Sequence, residues 1–245
     1  MYKYNPIFGY EIHGKTLGGA WISLVQAVYK HGEECYDEGR KRLALRNVRL
    51  KAEVQDTPDS VIHKYGNLEN IQKMITLTFS ESTMYDFDKT PSFNPGSKSY
   101  YQRIKEGKLI DFVVERLSII PESKKAIIVF PTYEDYERVL RNPKDDYLPC
   151  LVSIQFRLQK RDDVYCLDTT CYFRSLDVFQ KAHANFEVIG LITKEIVGRI
   201  SVKLNCGDVI IKLGFFDCLI ADAHIYENTL DDCKKIVDTF ERSVL

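Results

Sequence analysis

The 245-residue sequence has one tryptophan, three methionines and no run of about 18 apolar residues. The missing run excludes a membrane-spanning helix from the expected architecture. The opening segment, MYKYNPIFGYEIHG, is too polar for a secretory signal. Neither sign of charge is in excess: 34 basic and 35 acidic residues leave a formal net charge of −1, which argues against nucleic acid as a partner. The seven cysteines (Cys35, Cys150, Cys166, Cys171, Cys206, Cys218 and Cys233) include no CxxC pair. Cys166 and Cys171 lack a His/Cys pair at zinc-finger spacing, so no metal centre is expected. An odd count without an export signal reads as reduced thiols in a cytoplasmic setting. What remains is ordinary globular composition, 44% hydrophobic and 28% charged. At this length a folded chain buries roughly 70–75% of its unfolded surface without disulfide or metal staples.

No internal repeat or low-complexity tract occurs. Trp21, Leu24, Val25, Val28 and Tyr29 give Leu17–Glu33 one apolar helical face, with Gly18 and Gly19 as an entry turn. The alternation of Leu45, Val48, Leu50, Ala52 and Val54 predicts a strand over 43–54, with some irregularity. A short helix is expected at 68–77. Pro91, Pro95 and Gly96 predict a loop, a mobile insert over about 84–99. A helix at 110–119 stops before Pro121, and Ala126–Phe130 is a continuous apolar strand. A short helix at 133–140 follows, then strands at 150–159 and 164–173 around a polar turn. Residues 177–200 carry apolar side chains nearly all round, as a helix at the centre of a core does. Two strands, near 201–213 and 216–226, precede a closing helix at 230–244. Strands and helices mix without strict βαβ alternation, so the pattern predicts a single α+β domain spanning 1–245.

Four places could carry chemistry. Cys150 follows Pro149 at a strand start and could face a cavity; taken alone, it reads first as a small buried hydrophobe. Arg174 and Ser175 precede the long helix, which suits phosphate binding by guanidinium, hydroxyl and backbone N–H groups; Ser175 as a plain helix cap, with Asp177 in the first turn, is equally common. Asp222, His224 and Tyr226 share one face of a strand by the period of two, and could hold a sugar or simply face solvent. Asn185 is an amide within an apolar helix and needs partners, which a ligand can supply. His13, His31, His63 and His183 have no such pattern.

Together these pieces resemble thymidylate synthase and its pyrimidine hydroxymethylase relatives. The resemblance runs over roughly 100–235 through Ile110-Asp111, Pro121 to Lys125, Leu148-Pro149-Cys150, Gln155-Phe156, Arg174-Ser175-x-Asp177-Val178-Phe179, Asn185 and Asp222 to Tyr226. It implies a thymidylate synthase-like fold in which the Cys150 thiolate adds to C6 of a pyrimidine nucleoside monophosphate. C5 of uracil is a poor nucleophile until that addition makes an enolate, which then attacks a one-carbon donor, methylenetetrahydrofolate or a related pterin. The resemblance assigns Arg174 to the phosphate and the thiolate, and Ser175 to a second phosphate contact. Gln155 supports the nucleotide site. Asp177 meets the base through its backbone and the pterin through its carboxylate. Asn185 reads N3 and O4 of uracil, since an amide supplies one acceptor and one donor; cytosine-directed relatives can carry Asp there. His224 and Tyr226 hold the ribose 3′-hydroxyl. Tyr100, or Tyr101 in the alternative register, assists proton removal from C5. Lys124 and Lys125 match a pair of arginines donated across a homodimer interface to the same phosphate.

The sequence also departs from the family. Pro-Cys-His becomes Pro-Cys150-Leu151, the Gln before Arg-Ser becomes Phe173, and Gly-Gly becomes Ile220-Ala221. Gly14-Lys15-Thr16 is a stand-in for the phosphate loop, Glu81 a guess for the catalytic glutamate, and the folate-closing tail looks short or absent. These departures fall mainly on the one-carbon side. The expectation is therefore a methyl- or hydroxymethyltransferase acting at C5, tilted towards hydroxymethylation because an open site lets water reach the intermediate. The alternative is a non-catalytic sensor of pyrimidine nucleotides.

Overall fold

The structure, a computed structural model, describes residues 2–5, 9–142, 147–204 and 210–244; Cys206 lies outside them. The chain begins with β1 (Tyr2–Asn5) and β2 (Gly9–Thr16). Thr16 then caps α1 (Leu17–His31), its hydroxyl accepting the Gly19 N–H at 3.2 Å. Gly18 lies inside this helix, against Asp59, where an added Cβ would come within 2.2 Å of the carboxylate. A tight turn with Glu38 and Gly39 at φ +48° and +81° joins β3 (Glu33–Asp37) to β4 (Arg40–Val54). The irregularity expected in β4 falls at Asn47, which sits at φ +53° and shifts the buried positions from Leu45 to Val48, Leu50 and Ala52.

Helices α2 (Ser60–Tyr65) and α3 (Leu68–Phe79) follow, and after a long loop α4 (Tyr100–Gly107) and α5 (Leu109–Ile119). The loop, 84–99, has no helix or strand but is fastened. A bridge pairs Thr83 with Lys98, and Asp86 accepts from the Ser92 N–H and hydroxyl at 2.8 and 3.0 Å. Beyond it come β5 (Ile127–Val129), α6 (Tyr133–Arg141), β6 (Leu151–Arg161), β7 (Val164–Phe173), β8 (Leu176–Asp177), α7 (Ala182–Lys203), β9 (Ile210–Tyr226) and α8 (Leu230–Val244). One mixed sheet runs β1-β2-β4-β9-β7-β6-β5, with β3 on β4 and β8 on β9. The fold is α+β. Among the described residues no helix is long and apolar enough to cross a membrane.

Two predicted boundaries move. The long helix begins at Ala182, not 177, because Leu176 and Asp177 pair with Ala223 and His224 as a strand. The Asp177 carboxylate then closes a turn by accepting the Phe179 and Gln180 N–H groups at 3.0 and 2.8 Å. Residues 201–203 continue α7, and the two strands expected next are one 17-residue strand. Between the two expected strands Gly214 lies at a bulge: Asp168 fills the space a Cβ would need, 2.0 Å from its Oδ1, and accepts the Phe215 N–H at 3.1 Å.

Helix α7 is buried along Phe186, Ile189, Ile192, Ile196 and Ile200 against the helical side of the sheet. Among the described residues the other sheet face has no such cover. Val129, Ser153, Tyr172, Leu219 and Arg49 line up in one row across five strands, with Ile127, Gln155, Thr170, Asp217 and Lys51 in the next. Val129, Tyr172 and Leu219 are 50%, 36% and 44% exposed.

Candidate active site

At one end of the sheet the β3–β4 turn, the 84–99 loop, the segment before β6, β8 and the start of α7 surround a cavity of about 170 Å3. Cys150 lines it, immediately before β6, together with Tyr100, Arg174, Ser175, Asp177, Asn185, His224 and Tyr226. Arg174 grips the cysteine-bearing segment. Its Nη2 donates to Leu148 O at 2.6 Å, its Nε to Pro149 O at 3.1 Å, and its backbone N–H to Cys150 O at 3.0 Å. The same Nη2 lies 3.9 Å from Cys150 Sγ. The guanidinium thus faces the sulfur, and its carbonyl contacts fix where that sulfur stands.

Ser175, His224 and Asp222 come together, but not as a nucleophilic triad. Ser175 Oγ at 3.5 Å and Asp222 Oδ1 at 3.1 Å both approach His224 Nδ1, so the ring has no second nitrogen linking acid to hydroxyl. Asp222 instead orients the imidazole. Burial opposes its ionisation, yet His224 and Arg42 outweigh that and bring it down to about 2, so it is a fixed anion at neutral pH. Tyr226 stacks edge-on to His224 at 4.9 Å. Its hydroxyl accepts from Arg40 Nη2 at 2.6 Å and donates to Asp37 Oδ2 at 3.0 Å. The Arg40 guanidinium also lies 4.1 Å over the ring centroid.

Asn185 Nδ2 donates to Lys181 O at 2.9 Å, and its amide borders the cavity. The Asp177 carboxylate is taken up by its own turn and by Gln180 Nε2 at 2.8 Å. Between the two alternatives, Tyr100 borders the cavity and Tyr101 does not. Burial and then the neighbouring Cys150 push the Tyr100 phenol up, which keeps it protonated. Tyr147 is equally buried, and burial and then the neighbouring Tyr100 push its phenol up.

Several predicted residues lie elsewhere. Gln155 is on the uncovered sheet face, donating to Lys124 O at 3.0 Å. Lys124 and Lys125 are exposed beside it, outside their own chain's cavity. Glu81 accepts the Thr83 N–H at 3.0 Å outside the cavity, and Gly14 and Lys15 border a different hollow. Conversely, sequence reasoning missed Arg40 and Asp37, which enter from the β3–β4 turn, and Lys181. The Lys181 ammonium, ahead of α7, pairs with Asp86 at 2.9 Å and Asp88 at 3.0 Å. Burial alone would lower its pKa, but Asp88 and Asp86 outweigh that and raise it. The available signal was a charge isolated in the otherwise uncharged segment 178–186.

A thiol, a guanidinium and the Ser175, Asn185, His224 and Tyr226 set thus wall one cavity. The thymidylate synthase family model matches residues 65–244, so the chain belongs to the thymidylate synthase family. A comparison with curated proteins finds no match. The family's reaction is one-carbon transfer to C5 of a pyrimidine nucleotide, with methylenetetrahydrofolate as co-substrate.

Proposed function

We propose that this chain transfers a one-carbon unit to C5 of a pyrimidine nucleoside monophosphate, with Cys150 as nucleophile and uracil as the favoured base. The observation that carries the reading is the Cys150 sulfur set 3.9 Å from Arg174 in the cavity that Asn185, His224 and Tyr226 share. In the step proposed, a sulfur lone pair forms the S–C6 bond and the C5=C6 pair moves towards O4 as an enolate, leaving C5 nucleophilic. Asn185 orients the base, and His224 and Tyr226 hold the sugar hydroxyl. Arg174, Ser175 and the newly found Arg40 take the phosphate. A protonated Tyr100 relays the C5 proton instead of acting as its base.

The residues present fit a second flat ring beside the first. Phe87 and Phe93 enter the cavity wall from the 84–99 loop, and the Tyr147 ring packs on Phe93 with centroids 4.7 Å apart. A methylene-bearing pterin held there supplies an electrophilic carbon; the chain's part is to stack it, with Asp177 at its edge, and to exclude water. Tritium release from the C5 position of labelled dUMP, UMP, dCMP and CMP tests the function. Release is expected with at least one nucleotide and should rise with methylenetetrahydrofolate. Tight binding without release from any of the four would make the protein a sensor.

We further propose a homodimer with shared phosphate sites. Support comes from the half-apolar outer sheet face and from Lys124 and Lys125 at its margin, outside their own cavity. An isologous two-fold contact covers such a face and carries the lysines to the partner. Arg174→Ala protein and a Lys124→Ala, Lys125→Ala variant, mixed under subunit exchange, should regain up to about a quarter of wild-type sites. No recovery despite confirmed exchange would assign the lysines to no shared site.

A further inference from the structure

Two carboxylates share the one ammonium of Lys181, but they are not equivalent. Asp86 is committed to the loop: its oxygens accept from the Ser92 N–H and hydroxyl, from the Asp88 N–H at 3.1 Å, and from Lys181. Asp88 has Oδ2 on Lys181 at 3.0 Å, while Oδ1 is buried with no hydrogen-bond partner. The residue is 8% exposed and borders the Cys150 cavity. A buried, unpartnered carboxyl oxygen at a cavity wall leaves a hydrogen bond for a ligand to complete. Its location is equally specific. Lys181 carries Asp88 on its ammonium and Asn185 on its carbonyl oxygen, and all three residues line the cavity.

The Asn185 amide is held in one orientation, its Nδ2 donating to Lys181 O at 2.9 Å. Uracil presents a 4-oxo acceptor and an N3–H donor, and cytosine a 4-amino donor and an N3 acceptor. With Nδ2 held on Lys181 O, Asn185 offers its Oδ1 and one remaining N–H, the pattern that uracil completes. A carboxyl group reads the 4-substituent by a second means, its protonation, because only its protonated form donates. We propose that Asp88 discriminates the 4-substituent of the pyrimidine, donating to a 4-oxo group as the acid and accepting from a 4-amino group as the carboxylate. This assignment rests on the reading of the cavity as a pyrimidine-nucleotide site.

The surroundings place the exchange between the two forms in the neutral range. Burial raises the Asp88 carboxyl, Lys181 opposes, and Asp177 on β8 and Asp86 on the same loop raise it further, to about 7. Cys150 and Arg174 stand across the same cavity. As pH rises through that value the group changes from donor to acceptor, so the preference for uracil should be strongest on the acid side and weaken on the alkaline side. The neutral bases themselves do not titrate between pH 6 and 8, and the second ionisation of the phosphate is common to all four nucleotides, so both cancel in a ratio of affinities.

Isothermal titration calorimetry of the wild-type protein with dUMP, UMP, dCMP and CMP at pH 6.0 and 8.0 tests this. The uracil-to-cytosine affinity ratio is expected to fall about tenfold or more between the two pH values. In Asp88→Asn, whose amide does not titrate, the ratio should be flat. In Asp86→Asn, where Lys181 is left to Asp88 alone, the change should move to lower pH. A pH-independent ratio in the wild type, or one that still changes in Asp88→Asn, overturns the role of Asp88 and leaves the nucleotide site standing. If none of the four nucleotides binds the wild type, the nucleotide reading falls and Asp88 falls with it.

Discussion

Replacing Cys150 with alanine is expected to abolish covalent capture of a 5-fluoropyrimidine nucleotide and to lower C5 tritium release roughly a thousandfold or more. Fluorine cannot leave C5 as a proton does, so once the thiolate has added to C6 and C5 has taken the one-carbon unit of added methylenetetrahydrofolate, the wild-type protein should be held as an adduct. Mass spectrometry should then find that adduct on the peptide containing Cys150. The other thiols offer poor substitutes. Burial drives the Cys171 and Cys218 thiols well up and the Cys233 thiol to about 12, and none of the three borders the cavity. An adduct that persists in Cys150→Ala would place the nucleophile elsewhere.

Arg174→Ala should be nearly as severe, for two separable reasons. A charge-assisted phosphate contact is lost, and this should weaken nucleotide binding roughly a hundredfold while a nucleoside, having no phosphate, loses far less. The segment 148–150 also loses its clamp, since the guanidinium holds Leu148 O and Pro149 O at 2.6 and 3.1 Å. Capture of the fluoronucleotide should therefore slow even at saturating ligand. Arg174→Lys restores the charge but not the planar fork, so it should recover part of the affinity and little of the capture rate. Calorimetry for binding and intact-mass kinetics for capture separate the two. Equal wild-type affinities for uridine and UMP would remove the phosphate role altogether.

The parts of this site that were legible in the sequence are those whose chemistry is local. Pro149-Cys150, Arg174-Ser175 and Asp222 to Tyr226 each sit at a strand end, where the period of two fixes what faces what. Asn185 stands out as an amide in an apolar helix. Arg40 and Lys181 were not legible in that way. Arg40 meets Tyr226, 186 positions away, and Lys181 meets Asp86, 95 away; no local spacing encodes either meeting. The same holds for the fold. Helix α1 and strands β6 and β7 follow from periodicity. The N-terminal strands β1, β2 and β3 pair at or near the sheet margin with mostly half-exposed residues and carry little hydrophobic alternation. The start of α7 shifted because sheet pairing of Leu176 and Asp177 with β9 took those residues first.

The scarcity of tryptophan gives the protein a built-in optical probe. Trp21 is the sole indole of the chain. It is fully buried, with Nε1 donating to Val178 O at 2.8 Å, in the turn that runs from Ser175 to Lys181. Its ring lies 5.0 Å from the His183 imidazole, which burial brings down to about 4. At neutral pH that neighbour is uncharged and cannot act as a cationic quencher. Emission excited at the red edge therefore comes from one site with one surrounding, and that surrounding is tied by a backbone carbonyl to the segment carrying Ser175, Asp177 and Lys181. Any rearrangement of that segment on nucleotide binding is written into the wavelength and intensity of a single emitter, without a label and without a background from other indoles to subtract.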